Sequence, residues 1–161
     1  MNKTLVLYFS VYGTAKKTAK EITKQTHADL PEILPEIPYD SNRDHYAALA
    51  RLAKKEHDED QRLKIKEPID ITDYDTIFID YPMWWYTFPM ILYTLFDTLD
   101  FSGKTIIPFN THMESGDGGT YSTILELEPN AKVLEGFPIE MNDAEKGQPQ
   151  AIKAWLDRVY R

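Results

Sequence analysis

The 161-residue chain carries 26 acidic against 18 basic side chains, a formal net charge of −8, and 42% of it is hydrophobic. That balance excludes nucleic acid as a partner, because holding a phosphate backbone takes basic surface. With no cysteine there is no disulfide, thiolate nucleophile, Cys-ligated zinc or iron–sulfur cluster, so redox chemistry here requires a borrowed cofactor.

The length fits one domain, residues 1–161, with enough chain to bury a substantial core. No apolar run approaches a membrane span, and no signal-peptide pattern precedes the first strand, so a cytoplasmic protein is expected. Leu5 to Phe9 form an apolar run that predicts a buried strand, which stops at Ser10-Val11-Tyr12-Gly13-Thr14. Ala15, Thr18, Ala19 and Ile22 then recur at helical spacing. Strand, tight polar turn and helix N-terminus in succession point unpaired N–H groups and a helix dipole into one small loop, which suits a phosphate. The dipole contributes only about 0.3–1 kcal/mol, so the hydroxyls of Ser10 and Thr14 and the loop N–H groups must supply most of the grip.

Past a helix that fades near His27, Asp29 to Pro35 reads as a short strand, and the prolines at 31, 35 and 38 mark it as an edge. Ser41-Asn-Arg-Asp44 resembles a capping box opening a helix with Tyr46, Leu49, Ala50 and Ala53 on one face. His57 to Pro68 reads as a solvated connection; its His-Asp-Glu-Asp run lacks fixed metal-ligand spacing, and no metal site is expected. Thr76 to Asp80 is a strong strand followed by Tyr81-Pro-Met-Trp-Trp-Tyr-Thr-Phe-Pro89 and a helical face of Ile91, Leu92, Leu95, Phe96 and Leu99. After the turn Asp100–Lys104 come a strand at Thr105–Asn110, a glycine-rich loop at Thr111–Gly119 and a helix over about 119–128. A last strand lies at Lys132–Leu134, extended through Gly136 to Met141, and Ile152, Trp155, Leu156 and Val159 mark the closing helix.

Strands and helices thus alternate five times, the pattern of a parallel, doubly wound α/β sheet. In such sheets ligands sit outside the carboxyl ends of the strands, at the switch in strand order. Three loops of unusual composition leave those ends, 10–15, 81–89 and 110–119. The second places Trp84 and Trp85 where a small polar turn would suffice. Consecutive residues leaving a strand diverge, so at least one indole faces the crevice, where a flat aromatic ligand can stack. A phosphate cradle, an aromatic wall and a glycine-rich polar loop on one edge describe a flavin mononucleotide (FMN) site.

These residues are familiar as a set. YFS-x-x-GT, YPMWW, DFSGKTIIPF, TH-x-x-SG-x-GGT and the closing AIKAWLDR resemble the short bacterial flavodoxins nearly end to end. The resemblance implies a flavodoxin-like three-layer α/β/α sandwich with a five-stranded parallel sheet in order 2-1-3-4-5 and FMN at its carboxyl edge. It further implies Ser10, Tyr12, Gly13, Thr14 and Ala15 around the phosphate. Pro82, Met83, Trp84, Trp85 and Tyr86 would line one side of the isoalloxazine, and Thr111, His112 and Gly116 the other. Tyr12 and Ala15 stand where the family commonly has hydroxyls, Thr14 where it often has Asn, and Glu114 replaces a small residue. Tyr86 stands where relatives usually have glycine in a peptide that turns over near flavin N5, and tyrosine at positive φ is strained.

The expected function is an FMN-binding redox protein in which the flavin carries the electrons and no side chain serves as acid, base or nucleophile. The leading reading is electron transfer between redox partner proteins, whose basic docking surface would match the acidic chain. The alternative is a small NAD(P)H-dependent flavin or quinone reductase, with His112 as ring contact or proton donor. A third reading, a flavin-free interaction or signalling module, expects a phosphoacceptor at Asp80 and an acidic pair after the first strand, where this chain has Phe9-Ser10. Exposed aromatics such as Trp85 or Phe88 at the loop tip would serve a homodimer interface or a docking surface.

Overall fold

Continuous apolar runs make each central strand bury both faces, and the chain answers with helices on both sides. In the computed structural model, which describes residues 3–161, β1 (Thr4–Tyr8), β2 (Thr76–Pro82) and β3 (Thr105–His112) lie side by side and parallel. Leu5, Leu7 and Phe9 point to the face that also holds Ile77, Ile79 and Tyr81. That face is covered by α3 (Met90–Thr98) through Ile91, Leu92, Leu95 and Phe96, and by Ile124 of α4 (Thr120–Leu127). Val6, Tyr8, Phe78, Ile107 and Phe109 point the other way, against Ala19 and Ile22 of α1 (Thr14–Thr26) and Ile152, Trp155 and Leu156 of a closing helix at Pro149–Val159. A fully buried aliphatic or aromatic side chain contributes about 1.5–3 kcal/mol, so these two layers dominate stability.

The outer strands are weaker than the sequence predicts. The segment 29–33 does lie beside β1, yet it touches it only through isolated parallel bridges, Leu5 to Asp29 and Tyr8 to Glu32. Prolines 31 and 35 deny it donors for a regular ladder. With this segment as the second strand, the order is 2-1-3-4-5. The last strand is split: β4 (Lys132–Val133) pairs with Thr105 and Ile106, and β5 (Phe137–Glu140) pairs with Phe109 to His112. The reason sits in β3. Ile106 accepts a bond from Leu134 N–H on this side, and Pro108, two residues on, faces the same way with no N–H to give.

Other boundaries also shift. A short 3-10 turn (Arg43–His45) precedes α2 (Tyr46–Asp58), and its cap is Asn42, not Ser41: the Asn42 side chain accepts from Asp44 N–H at 3.0 Å. Helix α2 runs through Asp58, two residues into the stretch read as a connection. A five-residue helix, α5 (Met141–Glu145), follows β5, making the closing helix α6; it is too short to leave a periodic signature. Strands β2 and β3 each run two residues past their predicted ends, carrying Tyr81 to Pro82 and Thr111 to His112 as strand. No helix among the described residues is long and apolar enough to cross a membrane.

Candidate functional site

Three loops leave the carboxyl ends of β1, β2 and β3, and the chain ties the last two together. Met83 N–H donates to Thr111 O at 2.9 Å. Gly118, at φ 56°, lies so close to the second loop that a Cβ there would stand 2.8 Å from Tyr86 O and 2.5 Å from the Met83 methyl. Only glycine fits that approach.

The third loop is held from below by two buried relays. A hydroxyl has one proton, and Thr120 Oγ1 gives it to Asp117 O at 2.6 Å, so the Tyr81 phenol, 2.6 Å away, donates to Thr120. Alongside it, Tyr121 Oη donates to Asn110 Oδ1, and Asn110 Nδ2 donates to Gly116 O at 2.9 Å. Burial pushes both phenols well above the ordinary tyrosine range, so they remain donors at any physiological pH. This support places Gly116 by its carbonyl; neither Asn110 and Tyr81 in their strands nor Tyr121 in the first turn of α4 stood out in the sequence, since a single polar tip among apolar neighbours leaves no periodic mark.

The second loop is a two-residue hairpin turn. Trp84 and Thr87 exchange both backbone bonds, at 3.0 and 3.1 Å, with Trp85 at φ 53° and Tyr86 at φ 61° between them. Such a turn favours Asn-Gly, and side chains in the left-handed region cost of order 1–3 kcal/mol each. The sequence reading anticipated strain at Tyr86; Trp85 shares it. The two indoles diverge as expected. Trp84 packs edge-on against Phe9 and Tyr39, with centroids 5.4 and 5.2 Å away, while Trp85 is 48% exposed and donates from Nε1 to Ala50 O at 2.9 Å. Phe88, expected exposed at the loop tip, is instead buried against Tyr81 and Phe96, whereas Tyr86 is 72% exposed, so little packing holds it. Tyr86→Gly should therefore raise stability by about 1 kcal/mol, read as a higher denaturation midpoint at unchanged m-value.

In the first loop, Gly13 N–H donates to Ser10 Oγ at 3.0 Å, and Lys17 N–H makes the first helical bond, to Gly13 O at 3.1 Å. The N–H groups of Thr14, Ala15 and Lys16 are thereby left without intrahelical partners. The Ala15 methyl is buried in the core, so only its backbone serves the loop. The Thr14 hydroxyl donates to Glu145 Oε1 at 2.6 Å, a partner contributed by α5.

Among the described residues, six buried side-chain polar atoms lack a partner, and three of them belong to the predicted site: Tyr12 Oη, Thr111 Oγ1 and His112 Nδ1. Unpaired polar atoms at the carboxyl ends of β1 and β3 fit a polar ligand rather than a closed core. Beside them opens a cleft of about 440 Å³ between α2 and the second and third loops. It brings together Met83, Trp84, Trp85 and Tyr86 with Met113, Glu114 and Ser115. Ser10, Tyr12, Gly13, Thr14, Ala15, Pro82, Thr111, His112 and Gly116 lie outside its walls. Its far side is Tyr46, Leu49, Ala50 and Ala53, the helical face that the sequence marked, which serves the cleft as well as the core. Helix α2 is pinned there by Tyr39 Oη, which donates to the buried Glu56 at 2.6 Å.

The flavodoxin family model matches residues 3–159. Candidate flavoproteins of Bacteroides uniformis and Bacteroides eggerthii are each 29% identical to this chain, with TM-scores of 0.81 and 0.82. Those alignments cover 94% and 100% of this chain, and 98% and 99% of theirs. A flavoprotein from Lactobacillus acidophilus solved in complex with FMN is 22% identical, with a TM-score of 0.69 over 91% of this chain and 97% of its own. No curated protein matches significantly. With the parallel sheet, its strand order and the match over nearly the whole length in agreement, the chain belongs to the flavodoxin family.

Proposed function

We propose that residues 1–161 form one FMN-binding domain that transfers electrons between protein partners. The observation that carries this reading is the convergence of the three loops, with unpartnered Tyr12, Thr111 and His112 atoms among them and a preformed aromatic turn at the rim. Bound FMN supplies one- and two-electron redox chemistry. The chain's own groups do the rest. The N–H groups of Thr14, Ala15 and Lys16, with Ser10, Tyr12 and Gly13, hold the phosphate. Pro82, Met83, Trp84, Trp85 and Tyr86 form the apolar wall that keeps water from the ring. Thr111 and His112 face its polar edge from the end of β3, and Gly116 from a loop already fixed by the Tyr81 and Asn110 relays. A loop fixed before binding loses little entropy on binding, which favours affinity.

The acidic surface and the exposed Trp85, Tyr86 and Met113 favour protein partners with a basic, partly apolar docking face. One observation supports a second reading. The cleft walled by α2 opens to solvent beside the exposed Trp85, Tyr86 and Met113, so a ring held against its wall stays within reach of a small electron donor or acceptor, as a reductase using NAD(P)H and a quinone requires.

An anaerobic potentiometric titration of the FMN-loaded protein separates the two. Two resolved one-electron waves are expected for the carrier. A single two-electron wave, together with steady turnover of NADH or NADPH with a quinone, would replace it with the reductase. Failure of the folded protein to bind FMN would remove both.

A further inference from the structure

The first loop already faces an anion, and the chain itself supplies it. Helix α5 follows β5 and brings Glu145 against the N-terminal turn of α1. Its Oε1 accepts from Thr14 Oγ1 at 2.6 Å, and its Oε2 accepts from Lys17 Nζ. Arg43 Nη2 stands 3.6 Å from the same Oε1. Arg43 is itself placed by Tyr12: its guanidinium lies 5.1 Å above the Tyr12 ring, and Nη2 donates to Tyr12 O at 3.3 Å. A hydroxyl and two cations at the mouth of the loop therefore converge on one carboxylate. The bonds from Lys17 and Thr14 hold Glu145 below the usual carboxylate range, so it is charged at neutral pH.

A phosphate seated on this loop meets a conflict of charge. Thr14 has one hydroxyl proton and Glu145 holds it, so the phosphate must displace the carboxylate or accept a like charge at close range. An uncharged flavin that lacks the phosphate has no such conflict.

We propose that Glu145 sets how strongly this site discriminates between phosphorylated and unphosphorylated flavin, by occupying the phosphate's partners and lowering the affinity for FMN relative to riboflavin. The inference rests on the reading of loop 10–15 as the phosphate site. Within it, Lys17 and Arg43 are latent phosphate ligands that Glu145 neutralises until the phosphate displaces it.

The test is the dissociation constant of FMN and of riboflavin, by quenching of flavin fluorescence, for the wild type and for Glu145→Gln and Glu145→Ala. The substitutions should tighten FMN binding about tenfold and leave riboflavin within about twofold, with the FMN gain shrinking at high ionic strength. Inorganic phosphate should raise the melting temperature of the flavin-free variants more than that of the wild type, a readout that needs no flavin. Unchanged or weaker FMN binding in both variants, or an equal change for the two flavins, overturns the role of Glu145 and leaves the FMN site standing. If no folded form of the protein binds FMN and phosphate stabilises none of them, the phosphate-site reading falls as well.

Discussion

Asp80→Asn should remove a pH-dependent loss of stability that the wild type shows above the ordinary carboxylate range. Asp80 is completely buried at the carboxyl end of β2. Its Oδ2 lies 2.8 Å from Thr18 Oγ1, which also lies 2.9 Å from Ala15 O. Thr18 has a single proton, and a carbonyl can only accept. The arrangement closes when Asp80 is protonated and donates to Thr18, which donates to Ala15. Burial drives its pKa in that direction, well above the ordinary 3.8. Because the folded-state value is raised, the folded chain binds this proton more tightly than the unfolded one. The stability it contributes is complete below the unfolded pKa and is lost as pH rises toward the folded value. Within that window each pH unit removes about 1.4 kcal/mol. Chemical denaturation at a series of pH values checks this. The difference between Asp80→Asn and wild type should climb with pH from near zero or slightly below it in acid, where the extra amide N–H lacks a partner. A difference independent of pH would mean that Asp80 is ionised in the fold.

The second large effect is expected at Gly118. Gly118→Ala puts a methyl 2.8 Å from the Tyr86 carbonyl and at φ 56°, where a side chain is already disfavoured. Left-handed strain of about 1–2 kcal/mol and overpacking of about 1–3 kcal/mol together predict a loss of about 2–5 kcal/mol. The loss should fall on the site, because the contact lies between two loops rather than in the sheet. Flavin affinity should drop by one to three orders of magnitude, on the order set by 1.4 kcal/mol per decade. Isothermal titration with FMN, beside a melting curve of the flavin-free protein, separates the two components. A variant with wild-type affinity would show that the second and third loops need not touch to hold the flavin.

How far the sequence revealed this architecture depends on whether a feature is local. The five-fold alternation, the Ser10–Ala15 turn and the divergence of Trp84 from Trp85 all follow from neighbours in the chain, and all are visible in the string of residues. The split fifth strand is not, because its cause, Pro108, sits about 25 residues away in the partner strand. The cleft wall was half legible. Tyr46, Leu49, Ala50 and Ala53 give the correct face of α2, but periodicity marks a face as apolar without saying whether a core or a cleft lies opposite. Glu145 was hidden twice, in a helix too short to register and more than 100 residues from the loop it touches.

The weak outer strands have a consequence for how copies of this protein meet. A long, regular outer strand leaves a row of free N–H and C=O groups on which a second chain can grow its own strand, the first step toward insoluble assemblies. Here one margin touches the sheet only through bridges at Asp29 and Glu32, in a stretch broken by proline, and the other offers two residues, a gap and then four. Neither margin offers a continuous template. The exposed Trp85 and Tyr86 can therefore gather at the carboxyl edge of the sheet, while its two margins offer little on which a second copy could extend the sheet.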